Sequence, residues 1–406
     1  MRVVLHIGTE KTATTTLQNF VYANRDALRR HGVALSDCLD KTNNRKLAAY
    51  CMPASNFDDY FKDRRIATVQ QKQAHFDGFR EQFIEEARQA ATWAHTLFIT
   101  SEHFHSRVRD EASIARLKSV LDEISDDVVV LCWFREQSAV LLSLYSTAMK
   151  SGNVAELGAF VQRCTPSNDY FNYLELFSRW QGVFRAAQLR AFLFGTEHFI
   201  DGDIRRSLLQ EVLPDVDPSD FDFSAPPANR SLGAVGLELA RATNRAFPRY
   251  NADGSLNARR AALIQLLANS EIGRAGVASL REAAEIHARF ERSNLMFSRR
   301  FLKKDCNPFP APDPGRQEDQ SVTLAIAALS DFYGAALRQC HDDPTIGVHA
   351  DDVGALRALA GRLRRGDPAS ADDAALLDRL LDGQRTASAK RAGWLRRTLE
   401  RVRGTH

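Results

Sequence analysis

The first 28 residues run from a short apolar segment through a polar loop into a helical pattern, and this order constrains the fold more than any other feature. Residues 2–7 (Arg-Val-Val-Leu-His-Ile) form a β-rich run, and residues 8–16 are polar. The apolar side chains that follow recur at helical spacing: Leu17, Phe20, Val21 and Leu28. The chain is therefore predicted to begin as strand, loop and helix.

The same alternation continues along the first half of the chain. Further short apolar runs, separated by stretches long enough for a crossover helix, lie at residues 96–100, 127–134 and 188–194. Strands that alternate with helices pair in parallel, and helices cover the sheet. The sequence predicts an α/β fold with a central parallel sheet flanked by helices.

The pattern changes after about residue 214. A proline-rich loop at 217–227 is followed by helical periodicity and by no convincing strand. The helical patterns lie near residues 231–247, 281–290, 322–340 and 351–365. A second proline-rich linker, at 307–315, precedes the last two of them.

These boundaries predict one domain over residues 1–310, with a sheet core over about 1–215 and a helical part over about 228–305. A helical C-terminal extension is predicted over residues 316–406. The oligomeric state is not predicted.

Composition excludes several classes of function. The 54 basic and 51 acidic residues leave a formal net charge of +3, so bulk charge does not indicate nucleic-acid binding. The six cysteines include no C-x-x-C pair and no histidine at ligand spacing, which indicates neither a zinc site nor a disulfide framework. We expect no metal ion and no nucleic-acid partner.

No segment resembles a targeting or membrane-spanning sequence. The first apolar run has only five residues and is followed by Gly8 and Lys11, which is too short and too polar for a signal peptide. No apolar run approaches the roughly 20 residues of a membrane span. We expect a cytoplasmic protein.

The loop at residues 8–16 combines one lysine with five threonines between a strand and a helix. Helix N-termini leave N–H groups unpaired and carry partial positive charge, so a phosphate or sulfate binds there readily. Lys11 would add a full charge, and the hydroxyls would add donors. The alternative is a threonine-rich helix cap beside a solvated lysine.

This loop departs from the nucleoside-triphosphate pattern G-x-x-x-x-G-K-[ST]. Counted from Gly8, Ala13 stands at the second glycine and Thr14 where the lysine belongs, while Lys11 comes earlier. Neither later strand ends in an aspartate that could hold Mg²⁺. Transfer of a group that needs no metal ion fits this loop better, because a transferring sulfuryl group carries less charge than a phosphoryl group.

Arg135 follows the buried run at 127–134, and Ser143 comes eight residues later on a predicted helix. An arginine at a strand end and a hydroxyl on the next helix could hold one phosphate from two directions. The alternative for Arg135 is a surface ion pair.

Residues 6–18 (His-Ile-Gly-Thr-Glu-Lys-Thr-Ala-Thr-Thr-Thr-Leu-Gln) resemble the P-loop sulfotransferases, above all bacterial carbohydrate sulfotransferases that read close to H-I-G-x-x-K-T-G-T-T-T-L-Q. The resemblance implies a P-loop-type sheet and transfer of a sulfuryl group from 3'-phosphoadenosine 5'-phosphosulfate (PAPS) to an acceptor hydroxyl. Weaker similarity extends over about residues 1–300. The departure is Ala13 in place of the usual glycine.

The resemblance also implies roles for individual residues. The loop would hold the 5'-phosphosulfate through Gly8, Lys11, Thr12, Ala13, Thr14, Thr15 and Thr16. Lys11 would help to expel the leaving phosphate, and Arg135 with Ser143 would bind the 3'-phosphate. Asn229 and Ser231 match an N-x-S-L segment near the donor site, although such a segment is also an ordinary helix cap. Asn294 is a further weak match.

Residues 100–105 (Thr-Ser-Glu-His-Phe-His) end a central strand, where catalytic groups gather in open α/β sheets. An attacking hydroxyl needs a base within hydrogen-bond reach. Glu102 is the first candidate, His103 the second and His105 the third, and similar sulfotransferases carry an S-E-H-like segment here. The alternative is that Glu102 orients Lys11 or a backbone amide while His103 packs.

The basic amphipathic pattern at residues 390–403 would suit either an anionic membrane surface or docking on a protein. By resemblance alone, the acceptor is expected to be a glycan or a glycolipid. Membrane contact through residues 390–403 would place the enzyme at the inner membrane surface. Two rival functions stay open. One is a P-loop kinase using ATP and Mg²⁺, and the other is a nucleotide-binding module without turnover.

Overall fold

The computed structural model describes residues 1–225, 231–269 and 282–312. Several sequence predictions lie outside these ranges. They are Asn229, the helical patterns at 322–340 and 351–365, the extension over 316–406 and the basic segment 390–403.

Five parallel strands form one sheet, in the order β2-β3-β1-β4-β5. The strands are β1 (Arg2–His6), β2 (Val33–Leu35), β3 (Thr96–Thr100), β4 (Val128–Phe134) and β5 (Leu189–Leu193). The predicted α/β fold is confirmed, and each predicted apolar run contains a strand. The first strand therefore occupies the centre of the sheet, between β3 and β4.

Helices connect and cover the strands. In chain order they are α1 (Thr14–Ala23), α2 (Arg25–Arg30), α3 (Arg45–Cys51), α4 (Asp59–Asp63), α5 (Val69–His75), α6 (Phe79–Ala90), α7 (His103–Arg107), α8 (Glu111–Leu121), α9 (Gln137–Lys150), α10 (Leu157–Arg163), α11 (Tyr173–Val183), α12 (Ile204–Val212), α13 (Ala234–Ala246), α14 (Ala258–Asn269) and α15 (Ala283–Phe297). Short 3₁₀ turns lie at Ala186–Gln188, Thr196–His198, Ile200–Gly202 and Pro218–Asp220, and a π turn at Ser298–Leu302.

The period-two alternation of strand side chains divides the core into two layers. On β1, Val3 and Leu5 join the cluster on one face, and Val4 joins the cluster on the other. The first layer packs side chains of α3, α6, α8 and α11 against the sheet, and the second packs α1, α2 and α12. This two-sided burial explains why the strands are almost continuously apolar.

The helical pattern after the loop forms two helices. The helix is interrupted at Asn24, whose side-chain amide donates to the carbonyls of Phe20 (2.9 Å) and Asp222 (3.0 Å). Both helices bury their apolar side chains in the same layer of the core. The spacing predicted the buried face but not the break.

The chain divides into two compact units. The first contains the sheet and comprises residues 1–144, 158–225 and 282–312 of the described chain. The second comprises residues 145–157 and 231–269. No helix of the described ranges is long and apolar enough to cross a bilayer.

The second unit packs α13 against α14. Its buried Arg260 donates to the side-chain oxygen of Asn244 (2.8 Å) and to the carbonyl of Lys150 (2.7 Å). The second bond gives a donor to the carbonyl of the last residue of α9.

Candidate functional site

Three neighbouring strands end together at one edge of the sheet. The central strand β1 ends at His6, between β3, which ends at Thr100, and β4, which ends at Phe134. The polar loop, Glu102 and Arg135 follow these ends directly. After β1 the chain crosses toward one edge of the sheet to form β2, and after β4 it crosses toward the other edge to form β5. A crevice therefore opens beyond the ends of β1 and β4, which is where ligands bind in open α/β sheets.

The start of the loop is held by an extension of the β1–β4 ladder. Ile7 N–H donates to the carbonyl of Leu131 (3.0 Å), and Thr9 N–H donates to that of Trp133 (2.9 Å). The N–H of Trp133 donates in return to the carbonyl of Gly8 (2.8 Å). These bonds fix the path of the chain beyond the strand.

Three loop residues adopt the left-handed region: Gly8 (φ 110°), Lys11 (φ 70°) and Ala13 (φ 58°). A Cβ atom on Gly8 would lie 3.1 Å from the N atom of Glu10 and 3.4 Å from the Cα of Glu102, so a side chain there would be crowded as well as strained by the positive φ. Ala13 accepts a conformation that glycine adopts without strain.

The loop leads into the first turn of α1. Leu17 N–H makes a bond of 3.1 Å to the carbonyl of Ala13, and the N–H groups of Thr14, Thr15 and Thr16 precede it. The N–H groups of a first helical turn suit an anion. The hydroxyl of buried Thr12 instead donates to the carbonyl of Thr9 (2.7 Å) and braces the loop. All the predicted loop residues thus lie together, but Thr12 uses its hydroxyl internally.

Lys11 lies among opposing charges. Burial lowers the pKa of its ammonium group, while the carboxylates of Glu10 and Glu102 act against this. The backbone carbonyl of Lys11 accepts a bond of 3.2 Å from the guanidinium of Arg135. The two cations predicted to contact the donor are therefore joined through the loop.

Sequence reasoning missed Glu10, although its place beside the lysine was a visible signal. The carboxylate accepts a bond of 2.7 Å from the hydroxyl of Tyr170, and Glu10 N–H donates to Nδ1 of His105 (3.1 Å). Burial raises the pKa of Glu10, but the hydrogen bond from Tyr170 and the charge of Lys11 act against it, and the net shift is downward. The loop thus contains an ionised carboxylate.

Glu102, the first candidate base, is half-buried beside the loop. Its Oε2 accepts a bond of 2.6 Å from the side-chain amide of Gln18 on α1. The structure therefore brings this carboxylate to the same edge as Lys11, as the sequence predicted.

His103, the second candidate, begins α7. Burial and the guanidinium of Arg45 lower its pKa, whereas Glu102 raises it, and the net shift is downward. Arg45 donates to Nε2 (3.3 Å) and is itself paired with Asp58 and Asp59. Because arginine only donates, Nε2 is the acceptor of a neutral imidazole, and that nitrogen is already engaged.

His105, the third candidate, is buried and engaged at both nitrogens. Nδ1 accepts from Glu10 N–H, so Nε2 carries the proton and donates to the carbonyl of Tyr170 (3.0 Å). Burial lowers its pKa to about 4. This geometry gives His105 a structural role and argues against its use as the base.

The other residues that were predicted to lie near the PAPS site are spread over several elements. The Arg135 guanidinium is half-buried with its centre 5.2 Å from the Phe194 ring centroid, and Ser143 lies half-buried on α9. Ser231 is exposed in the second unit, three residues before α13 begins. Asn294 exchanges amide hydrogen bonds with Gln137 (2.8 and 3.1 Å), which gives it a structural role.

A polar cleft of about 630 Å³ begins at the end of α7. It is lined by Met52, Asn56, Ser106, Arg107, Arg109, Asp110, Glu111, Asp169 and Arg179. Arg109 and Arg179 share the carboxylate of Asp169, and Asp110 caps α8 through the N–H of Ser113. The volume falls in the range of ligand sites.

Within the ranges that the structure describes, no three His, Cys, Asp or Glu side chains are grouped to hold a metal ion. No family model matches this chain, and neither a curated protein nor a solved structure shows significant similarity to it.

Proposed function

We propose that this chain transfers a sulfuryl group from PAPS to an acceptor hydroxyl. The observation that carries the proposal is the meeting of Lys11, Arg135 and Glu102 at the edge of the sheet where the central strand leads into α1. This arrangement supplies a cation, a helix N-terminus and a carboxylate at one crevice, as transfer from an anionic donor requires.

In this proposal the donor spans the crevice between β1 and β4. The loop and the first turn of α1 hold the 5'-phosphosulfate, with Lys11 beside the bond that breaks. Arg135 and Ser143 hold the 3'-phosphate. The bond from Arg135 to the Lys11 carbonyl supports this assignment, because it links the two phosphate-binding elements.

The reaction is an in-line displacement at sulfur. The acceptor oxygen forms the new bond to sulfur while the bond from sulfur to the bridging phosphate oxygen breaks. Glu102 takes the acceptor proton, and Lys11 with the loop N–H groups stabilises the charge that develops on the leaving phosphate. The products are the sulfated acceptor and adenosine 3',5'-bisphosphate.

The acceptor is proposed to approach along the cleft beside α7. That helix begins at His103 and reaches the cleft at Ser106 and Arg107, about one helical turn later. The lining carries both charge signs and the side-chain amide of Asn56, which suits the hydroxyls of a glycan or glycolipid. A cytoplasmic location and membrane contact through residues 390–403 stay predictions.

Ligand binding separates this proposal from its rivals. Adenosine 3',5'-bisphosphate is expected to raise the melting temperature without Mg²⁺ and more than ATP does. Stabilisation by ATP that depends on Mg²⁺, with none by the bisphosphate, would instead indicate a kinase.

Turnover separates an enzyme from a binding module. Radiolabelled PAPS incubated with a panel of glycans and glycolipids is expected to yield a sulfated product with the wild type and far less with Lys11→Ala. Tight binding of the bisphosphate without product on any acceptor would support the inactive module.

A further inference from the structure

The loop after β1 contains a fixed carboxylate where an anion site would ordinarily be basic. Glu10 is adjacent to Lys11, and its Oε2 accepts a bond of 2.7 Å from the Tyr170 hydroxyl. Its N–H donates 3.1 Å to Nδ1 of His105 and so is not directed at a ligand. Both the side chain and the backbone N–H of Glu10 are thus bonded to protein groups.

The two partners of Glu10 also hold each other. His105 Nε2 donates to the Tyr170 carbonyl (3.0 Å), and the two rings lie 4.4 Å apart. This closed ring of three residues joins the loop after β1, helix α7 and the segment before α11. Glu10 is therefore linked by hydrogen bonds to two further chain segments.

The charges around the loop cancel. Lys11 and Arg135 contribute two positive charges, and Glu10 and Glu102 contribute two negative ones. His105 is neutral near pH 7, since burial lowers its pKa to about 4. A bound anion is thus held mainly by N–H groups and the helix terminus, and each further negative charge is opposed by the carboxylates.

We infer that Glu10 makes the loop selective for the charge of the terminal group on the donor. A terminal sulfuryl group carries one negative charge, whereas the isosteric terminal phosphoryl group carries close to two near pH 7. The fixed Glu10 carboxylate repels the second charge and so favours the sulfated nucleotide. The inference rests on the proposed function, and it makes Glu10 a specificity residue rather than a catalytic one.

Two nearly identical ligands test this role. PAPS and adenosine 3'-phosphate 5'-diphosphate differ in the terminal group alone, and their Kd values can be measured by calorimetry at pH 7.5 without Mg²⁺. The wild type is expected to prefer PAPS. Glu10→Gln keeps an amide oxygen for Tyr170 but loses the charge, so the preference is expected to fall about tenfold, mostly through tighter binding of the diphosphate.

Glu175→Gln is the matched control, because it removes the same charge from an exposed position on α11. The ratio of the two Kd values is expected to stay within about twofold of the wild type. An unchanged ratio in Glu10→Gln, or an equal fall in Glu175→Gln, would overturn the inference.

Adenosine 3',5'-bisphosphate separates failure of the inference from failure of the proposed function. If the wild type binds the bisphosphate and PAPS but the ratio does not respond to Glu10→Gln, only the role of Glu10 is wrong. If the wild type binds none of the three nucleotides, both the role of Glu10 and the proposed donor are wrong.

Discussion

The side-chain amide of Gln18 donates a hydrogen bond of 2.6 Å to Oε2 of Glu102 and so joins the first helix to the end of β3. Gln18 is buried, and this bond orients the carboxylate beside the loop. His103 instead receives a bond from Arg45 at Nε2, the nitrogen that would have to take a proton. Glu102 is held beside the loop, whereas the accepting nitrogen of His103 is already bonded to Arg45. This difference favours Glu102 as the proposed base.

Glu102→Gln is therefore expected to lower kcat by about two to four orders of magnitude, because proton removal from the acceptor is lost. The Kd for adenosine 3',5'-bisphosphate should stay nearly unchanged, since a base acts on the acceptor and not on the donor. His103→Asn provides the comparison. Loss of turnover in His103→Asn alone would reverse the ranking, and normal turnover in both would place the base elsewhere.

Lys11→Ala is expected to lower turnover by about two to three orders of magnitude, comparable with the loss of one oxyanion donor. Lys118→Ala is the control, since Lys118 pairs with Asp122 on α8 and lies outside the proposed site. Initial rates at saturating PAPS measure both variants. Near-normal turnover in Lys11→Ala would rule out the proposed role of the loop.

Much of the fold could be predicted because it depends on local pattern. The buried runs at Thr96–Thr100 and Val128–Phe134 are short, apolar and rich in residues that favour strands. They form β3 and β4, the two strands that flank β1. The three-residue strand Val33–Leu35 gave only a weak signal, because it lies at the sheet edge and is too short to show a period.

The site was predicted less completely, because its decisive contacts join distant segments. Nothing in the spacing of the chain brings Tyr170 to Glu10 or Gln18 to Glu102. The His105 nitrogens could not be assigned from sequence either, since their use depends on a backbone amide from the loop. Hydrogen bonds between distant segments produce no periodic pattern in the sequence.

Arg135→Ala is expected to weaken binding of adenosine 3',5'-bisphosphate by at least tenfold more than binding of adenosine 5'-phosphate, because only the first carries a 3'-phosphate. Calorimetry with both nucleotides measures the difference. Because Arg135 also bonds to the Lys11 carbonyl, some loss for adenosine 5'-phosphate is expected as well. Equal losses for the two nucleotides would mean that Arg135 only supports the loop.

Ala13→Gly is expected to stabilise the fold by roughly 0.5–1 kcal/mol, because relief of the left-handed conformation outweighs the entropy gained by the unfolded chain. Ala115→Gly, at an exposed position inside α8, is the opposite control and should cost about 1 kcal/mol. Urea denaturation measures both. A loss of stability in Ala13→Gly equal to that of the control would contradict the strain at this position.

Two buried histidines predict a loss of stability in mild acid. Burial lowers the pKa of His6 and of His105 to about 4 in the folded state, compared with about 6.5 when unfolded. Below pH 6.5 the unfolded chain binds protons that the folded chain does not, so stability is lost as the pH falls toward 4. Between pH 7 and pH 5, the free energy of unfolding should fall by about 2 kcal/mol for each histidine.

His105→Gln isolates one of these contributions, since glutamine can still accept from Glu10 N–H and donate to the Tyr170 carbonyl. The variant is expected to be less stable than the wild type at pH 7 but to lose about 2 kcal/mol less between pH 7 and pH 5. His198→Gln, at an exposed position, is the control and should keep the wild-type pH dependence. Urea denaturation at the two pH values measures all three proteins, and an identical loss in His105→Gln and the wild type would show that His105 already binds a proton in the folded state above pH 5.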